Sequence, residues 1–200
     1  MSWRVLLVSE LLPDPQPGGL ALHVLDLARA LHQRGCQVDL LGNDRHALSG
    51  CPGQQGPGRF FAELHGHQRL WKERSLGAFH PLRTRLTVRR LRERILAHAA
   101  NYDVVHYHGH LPWVAAALPP GLPFTQTRHD RSGDCMLRTR FRAGAEGTEG
   151  RCLSLDPADC ARCATPAPGA AQAALSRWAV RDLRQRTAQA LARHPAIFVS

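Results

Sequence analysis

The stretch Arg4–Gly35 limits what this chain can fold into. It opens on Arg4-Val-Leu-Leu-Val-Ser9, a nearly unbroken apolar run of the kind that forms a parallel strand buried on both faces. A loop carrying Pro13, Pro15, Pro17 and Gly18-Gly19 follows, and then apolar residues recur at Leu20, Val24, Leu27, Ala28 and Leu31. That spacing predicts a helix with one inward face, and Gly35 stands where such a helix ends. Gly18-Gly19 therefore marks the handover from a strand to the amino end of a helix. Free N–H groups and the positive end of the helix dipole meet there and favour an anion such as phosphate. Two residues without side chains also let a ligand approach the backbone closely. Many joins of this kind bind nothing, so the feature sets the fold before it sets a function.

The same alternation continues along the chain. Cys36–Gly42 reads as a second strand, residues 43–58 as a polar surface loop and Arg59–Leu64 as a third strand. From Thr84 to Ala100, Val88, Leu91, Ile95 and Ala99 fall on one helical face. Arg90 and Arg94 project opposite them, with Arg85, Arg89 and Arg92 on the flank. This basic side reads as a solvated face or as one that meets an anionic acceptor or membrane surface. Tyr102–His108 is the next strand, Trp113–Leu118 part of a short helix, and Phe124–Thr127 a fifth strand after a proline-rich turn. Residues 128–169 have no periodicity, whereas Ala170–Arg193 turns helical again with Val180, Leu183, Thr187, Ala190 and Leu191 on one face. Ala196–Ser200 looks like the opening of another buried strand, so the natural protein is expected to continue. The fold class is α/β: one Rossmann-like domain over residues 1–200, with an open, mostly parallel sheet and helices on both faces. An irregular cysteine-bearing insertion occupies residues 128–169.

Two hundred residues with 44% hydrophobic content can bury a substantial core. No apolar run approaches the ~20 residues that span a bilayer, and the amino terminus is too short for a signal peptide. A cytoplasmic location is the expectation, with peripheral contact at the inner face of the membrane left open. The net charge of +10 comes from 26 basic residues of which only Lys72 is a lysine. The aromatic–basic interleaving of single-strand nucleic-acid binders is absent, so nucleic acid is disfavoured as a partner.

In an open parallel sheet, ligands bind in the crevice beyond the carboxyl ends of the strands. Three features fall there on this reading: Gly18-Gly19 after the first strand, His106, His108 and His110 ending the fourth, and Arg128-His129-Asp130 after the fifth. His106 and His108 share one strand face. The His-x-His-x-His run suits either a metal ion or ordinary hydrogen-bonded histidines. His129 beside Asp130 suits a general acid/base, a hydrogen-bond donor to a sugar hydroxyl, or a plain loop residue. Cys135, Cys152, Cys160 and Cys163 gather in the irregular segment, and the last pair forms C-x-x-C. Four thiolates of this kind could close a structural zinc site; free or redox-active thiols and disulfides are the other readings. Cys36 and Cys51 read as ordinary thiols.

In order along the chain, five segments resemble retaining GT-B glycosyltransferases of family 4. They are Arg4-Val-Leu-Leu-Val-Ser, Gly18-Gly-Leu-Ala-Leu-His-Val-Leu-Asp-Leu-Ala-Arg-Ala-Leu, Arg34-Gly-Cys-Gln-Val, Asp103-Val-Val-His-Tyr-His and Thr127-Arg-His-Asp130. The cysteine segment is similar to an insertion found after the His-Asp pair in a subset of members. The resemblance implies a two-domain enzyme that moves a sugar from a nucleotide-sugar donor to an acceptor such as a glycan, lipid or polysaccharide precursor, keeping the anomeric configuration. It makes this chain the acceptor-side half, inactive without a donor-binding domain that carries a pair of glutamates. By the same resemblance Gly18 and Gly19 lie near the donor diphosphate, His129 approaches the donor sugar as the catalytic histidine, and His108, Arg128 and Asp130 line the acceptor side. Arg128 stands where an apolar or small residue is commoner, and Arg131 where an aromatic is usual. Two other classes compete. One is a zinc-stabilised basic module for nucleic acid or anionic membrane. The other is a nucleotide-cofactor oxidoreductase, disfavoured because G-x-G-x-x-G is missing and Asp39 lies inside the second strand.

Overall fold

The computed structural model describes residues 2–64, 80–130, 133–135, 141–142, 150–151, 156–164 and 169–199. Strands β1 (Arg4–Val8), β2 (Gln37–Gly42) and β3 (Phe60–Ala62) lie on one side of a six-stranded sheet. Strands β4 (Val104–His108) and β5 (Phe124–Arg128) extend it on the other side of β1, and a last strand at Ala196–Phe198 closes that edge. All five pairings are parallel, so the six strands run in one direction. Helix α1 (Gly19–Gln33) joins β1 to β2, α2 (His80–Ala99) precedes β4, and α3 (Val114–Ala117) joins β4 to β5.

Because neighbouring residues of a strand point to opposite faces, β1 divides its side chains between two cores. Val5 and Leu7 pack with Val24, Leu25 and Ala28 of α1 on one face. Leu6 and Val8 pack on the other with Val105, Tyr107, Leu91 and Ile95. The face expected for α2 is the one observed: Val88, Leu91, Ile95 and Ala99 are all buried. Helix α1 ends as its sequence predicts, with Gly35 at φ 86 and the Cys36 N–H bonded back to the Leu31 carbonyl at 3.1 Å.

The segment after β5 is more ordered than its lack of periodicity suggested. A two-stranded antiparallel ladder pairs β6 (Phe141–Arg142) with β7 (Gly150–Arg151), and α4 (Pro157–Ala164) carries Cys160 and Cys163. Asp156 starts α4 by accepting the Ala158 N–H at 2.9 Å. Helix α5 (Ala170–Arg193) then crosses the face that holds α2 and α3, followed by β8 (Ala196–Phe198). Two expectations are corrected here. Leu191 is 42% exposed, and the inward stripe of α5 is Ser176, Ala179, Val180, Leu183, Thr187 and Ala190. The stripe uses small and polar residues because α5 is packed closely by α3 and α4. Nor is β8 a buried strand: it is the sheet edge, bonded to β5 alone, with Ile197 50% and Phe198 60% exposed.

Residues 43–58 are not simply a surface loop. Asn43 is fully buried, and its Nδ2 donates to the carbonyls of Glu10 at 3.1 Å and Pro13 at 3.2 Å. Gln54, also buried, accepts the Asp14 N–H at 2.9 Å and donates back to the Asp14 carbonyl. These two amides fix the loop between β1 and α1, whose Leu12 also packs into the core with Val24 and Leu25. Replacing Asn43 by alanine strands two buried carbonyls, so a loss of about 2–4 kcal/mol in urea unfolding is expected. A change below about 0.5 kcal/mol, the scale of an ordinary surface substitution, would show that the loop is held otherwise.

Candidate active site

β1 and β4 are neighbours, yet the chain leaves them toward opposite faces: β1 leads into α1 and β4 into α3. A parallel sheet opens a crevice at such a switch point, beyond the carboxyl ends of its strands. Three elements deliver side chains to it. His108 ends β4, His129 follows β5, and His23 comes from the second turn of α1.

His108 is fully buried, and its Nδ1 shares a hydrogen bond with His129 Nε2 at 3.2 Å. The His23 ring lies 5.5 Å from that of His108 and 5.1 Å from that of His129, the latter edge-on. His106 stacks behind His108 with ring centroids 4.0 Å apart and bonds Thr127 Oγ1 at 2.8 Å. His110 turns to Asp130, Nδ1 to Oδ2 at 3.0 Å. The His-x-His-x-His run is thus split three ways, and only its middle member joins the imidazoles from the other two elements.

Burial governs the protonation of this group. It pushes His106 down to about 4, with further lowering by His23 and His129. It pushes His108 down to about 2, helped by His106, His129 and His23. His129 is also lowered, first by burial and then by His23 and His110, with Asp130 opposing. At neutral pH these three rings are uncharged hydrogen-bonding groups.

Glu10, just beyond β1, is a buried carboxylate that ties the rim together. Its Oε1 accepts the Tyr107 hydroxyl at 2.9 Å and the His110 N–H at 3.0 Å. The Tyr107 oxygen in turn accepts the Leu111 N–H at 3.2 Å. Gly109 has to be glycine for this, since a Cβ there would collide with the Glu10 carboxylate and the Tyr107 hydroxyl. Burial, and then the charge of Glu10, drives the Tyr107 hydroxyl well above its ordinary range, so it stays a donor.

The paired glycines sit as the chain predicted, Gly18 capping α1 and Gly19 beginning it. No side chain caps this end, no acidic residue occupies the first turn, and a Cβ on either glycine would meet nothing within 4 Å. Among the described residues, no side chain therefore caps the first N–H groups of α1, and both glycines are exposed. Asp130 is half-buried, whereas Arg128 is 8% exposed and runs against Gly133 and Thr187, its guanidinium 5.6 Å from the Phe198 ring centre.

The cysteines form a separate region. Cys135, Cys160 and Cys163 are half-buried and outside any disulfide, and Arg184 Nη2 donates to Cys160 Sγ at 3.1 Å. Cys152 lies outside the described residues, as does Arg131. Among the described residues, the one group of three or more His, Cys, Asp or Glu with ligand atoms all within 4.8 Å is His23, His108 and His129.

Sequence reasoning missed His23, Glu10, Asn43 and Gln54. His23 did carry a weak signal, a lone polar residue inside the Leu20–Leu25 run and one turn past the glycines. Asp39 is committed elsewhere: it accepts the Tyr102 hydroxyl at 2.6 Å and pairs with Arg59 at 2.9 Å, in mid-strand. The flank arginines of α2 are also engaged within the protein. Arg85 pairs with Asp182 at 2.9 Å, Arg89 with Glu93 at 3.1 Å, and Arg92 donates to the Ala117 carbonyl at 2.8 Å; on the side opposite the buried face, Arg94 approaches Glu63 at 3.8 Å. Among the described residues no helix is long and apolar enough to cross a membrane.

A parallel sheet ordered β3-β2-β1-β4-β5-β8, with a polar cluster at the β1/β4 switch point, defines a Rossmann-like α/β domain, a fold in which ligands bind beyond the strand ends. The sequence model of Glycosyltransferase Family 4 matches residues 17–163, from the glycine pair through the second cysteine of the C-x-x-C, and the chain belongs to that family. It is a glycosyltransferase-type enzyme, acting between a sugar donor and an acceptor. No curated protein sequence matches it at a significant level.

Proposed function

We propose that this chain is the acceptor-side half of a retaining GT-B glycosyltransferase that uses a nucleotide-sugar donor. The observation that carries the reading is the meeting of three separate strand ends at one crevice, where an uncapped helix terminus stands beside uncharged imidazoles. A retaining transfer needs the leaving phosphate stabilised and the acceptor held in line with the anomeric carbon. The open N–H groups after Gly18 and Gly19 suit the diphosphate, since dipole and donors both favour negative charge there.

His129 supplies a hydrogen bond to the donor sugar as an uncharged ring. His108, behind it and out of contact with solvent, sets its orientation through their shared bond. Asp130, with His110, faces the acceptor hydroxyl. Arg128 is nearly enclosed, so its charge acts on the acceptor side through the field rather than by an exposed fork. The donor nucleotide and the catalytic carboxylates belong to a second domain, without which this half transfers nothing.

The glycine pair gives the cleanest test, because nothing in the fold fills the space around it. In the complete enzyme Gly19→Val should leave unfolding unchanged to within about 1 kcal/mol, valine being no worse than glycine in a helix. It should raise the donor KM about tenfold or more, the scale of a lost hydrogen bond to a charged group. An unchanged donor KM in the folded variant would remove the diphosphate from this loop.

A further inference from the structure

His23, His108 and His129 reach one point from α1, β4 and the loop after β5, each offering a ring nitrogen within 4.8 Å of the other two. We propose that these three imidazoles form a binding site for a divalent transition-metal ion of the zinc class.

The spacing is close to what such an ion needs. Tetrahedral zinc with nitrogen ligands at about 2.0–2.1 Å sets neighbouring nitrogens about 3.3 Å apart. His108 Nδ1 and His129 Nε2 stand at 3.2 Å, so one edge of the tetrahedron is already made. The third ligand is the adjustable one: His23 is exposed on the helix surface and can close the remaining distance by a rotamer change.

The ligand chemistry points the same way. The set contains no carboxylate, which disfavours magnesium and calcium, and imidazole suits zinc, cobalt, nickel and copper. Coordination by His108 Nδ1 and His129 Nε2 would replace the proton that the two rings now share, and His108 Nε2, buried and without a hydrogen-bond partner, would then carry the ring's own proton. Three protein ligands leave a fourth position for water or a substrate oxygen, and the exposed His23 side provides the way in.

One consequence rests on the functional reading above: the ion and the donor sugar compete for His129, so occupancy would inhibit transfer. The site itself is tested without any sugar. The 200-residue chain, stripped with a chelator, is titrated with cobalt(II) alone, by calorimetry and by its visible absorption. One ion per chain is expected, with the intense visible band of a four-coordinate site and no sulfur-to-cobalt charge transfer. His23→Ala, exposed and so compatible with folding, should weaken binding about 100-fold, as loss of one of three ligands implies. Cys160→Ser should bind as the parent does. Wild-type affinity in His23→Ala, failure of the parent to bind, or loss of binding in Cys160→Ser each overturns the site. A chain that fails this test while the complete enzyme still transfers sugar leaves the transferase reading standing.

Discussion

In the complete enzyme, His129→Ala will lower kcat about 100-fold or more, the range for losing one positioned proton-transfer or hydrogen-bonding group. The expectation follows from how the ring is held. His108 Nδ1 fixes one nitrogen at 3.2 Å, the His23 ring stands edge-on at 5.1 Å, and the residue itself is only half-buried. Its remaining edge is therefore available to a ligand in a fixed orientation, and burial keeps it uncharged. Removing it also leaves the buried His108 Nδ1 without its partner, a cost of about 1–3 kcal/mol. That loss must be separated from the chemical one. His129→Gln restores a hydrogen-bonding side chain toward His108, so it should recover stability while kcat stays low. A folded His129→Ala enzyme with wild-type kcat would take this residue out of the reaction.

The difference between what the sequence revealed and what it hid is one of range. Arg4–Val8, Gly19–Gln33 and α2 from Thr84 onward could be read because their signals are local: an apolar run, a 3.6-residue repeat, a glycine past a helix end. The crevice could be placed because strand ends in a parallel sheet share one edge, so His108 and His129 belonged together before any distance was known. His23 and Glu10 gave no comparable signal. Their partners lie far along the chain, His23 against His108 and His129, Glu10 against Tyr107 and His110. A polar contact across such a separation leaves no period in the sequence. Asn43 and Gln54 were hidden for the same reason: each satisfies backbone groups of the loop after β1 from another loop. Leu191 shows the opposite failure, an apolar residue placed inward by pattern although α3 and α4 meet α5 along a stripe that excludes it.

Stability will fall as pH drops from 7 toward 4, and His106 accounts for much of the loss. In the unfolded chain this imidazole takes up a proton near its ordinary 6.5; in the fold, burial and then His23 and His129 hold it to about 4. Between those values the unfolded state binds more protons than the folded one, so acid favours unfolding. The contribution is fully present above pH 6.5 and is lost progressively down to about 4, a total of about 3 kcal/mol at roughly 1.4 kcal/mol per pH unit. His108, held to about 2, acts in the same direction and continues to lower pH. Urea unfolding at pH 7, 5.5 and 4.5, with chelator present, reads the slope. His106→Gln keeps a hydrogen-bonding partner for Thr127 Oγ1 and has no proton to gain. Its stability should therefore fall less steeply than the parent's by about 1 kcal/mol per pH unit across this window. Equal slopes in the two proteins would mean that His106 already carries its proton in the folded state. The rings of His106 and His108, only 4.0 Å apart, could then no longer both be the uncharged groups on which the crevice depends.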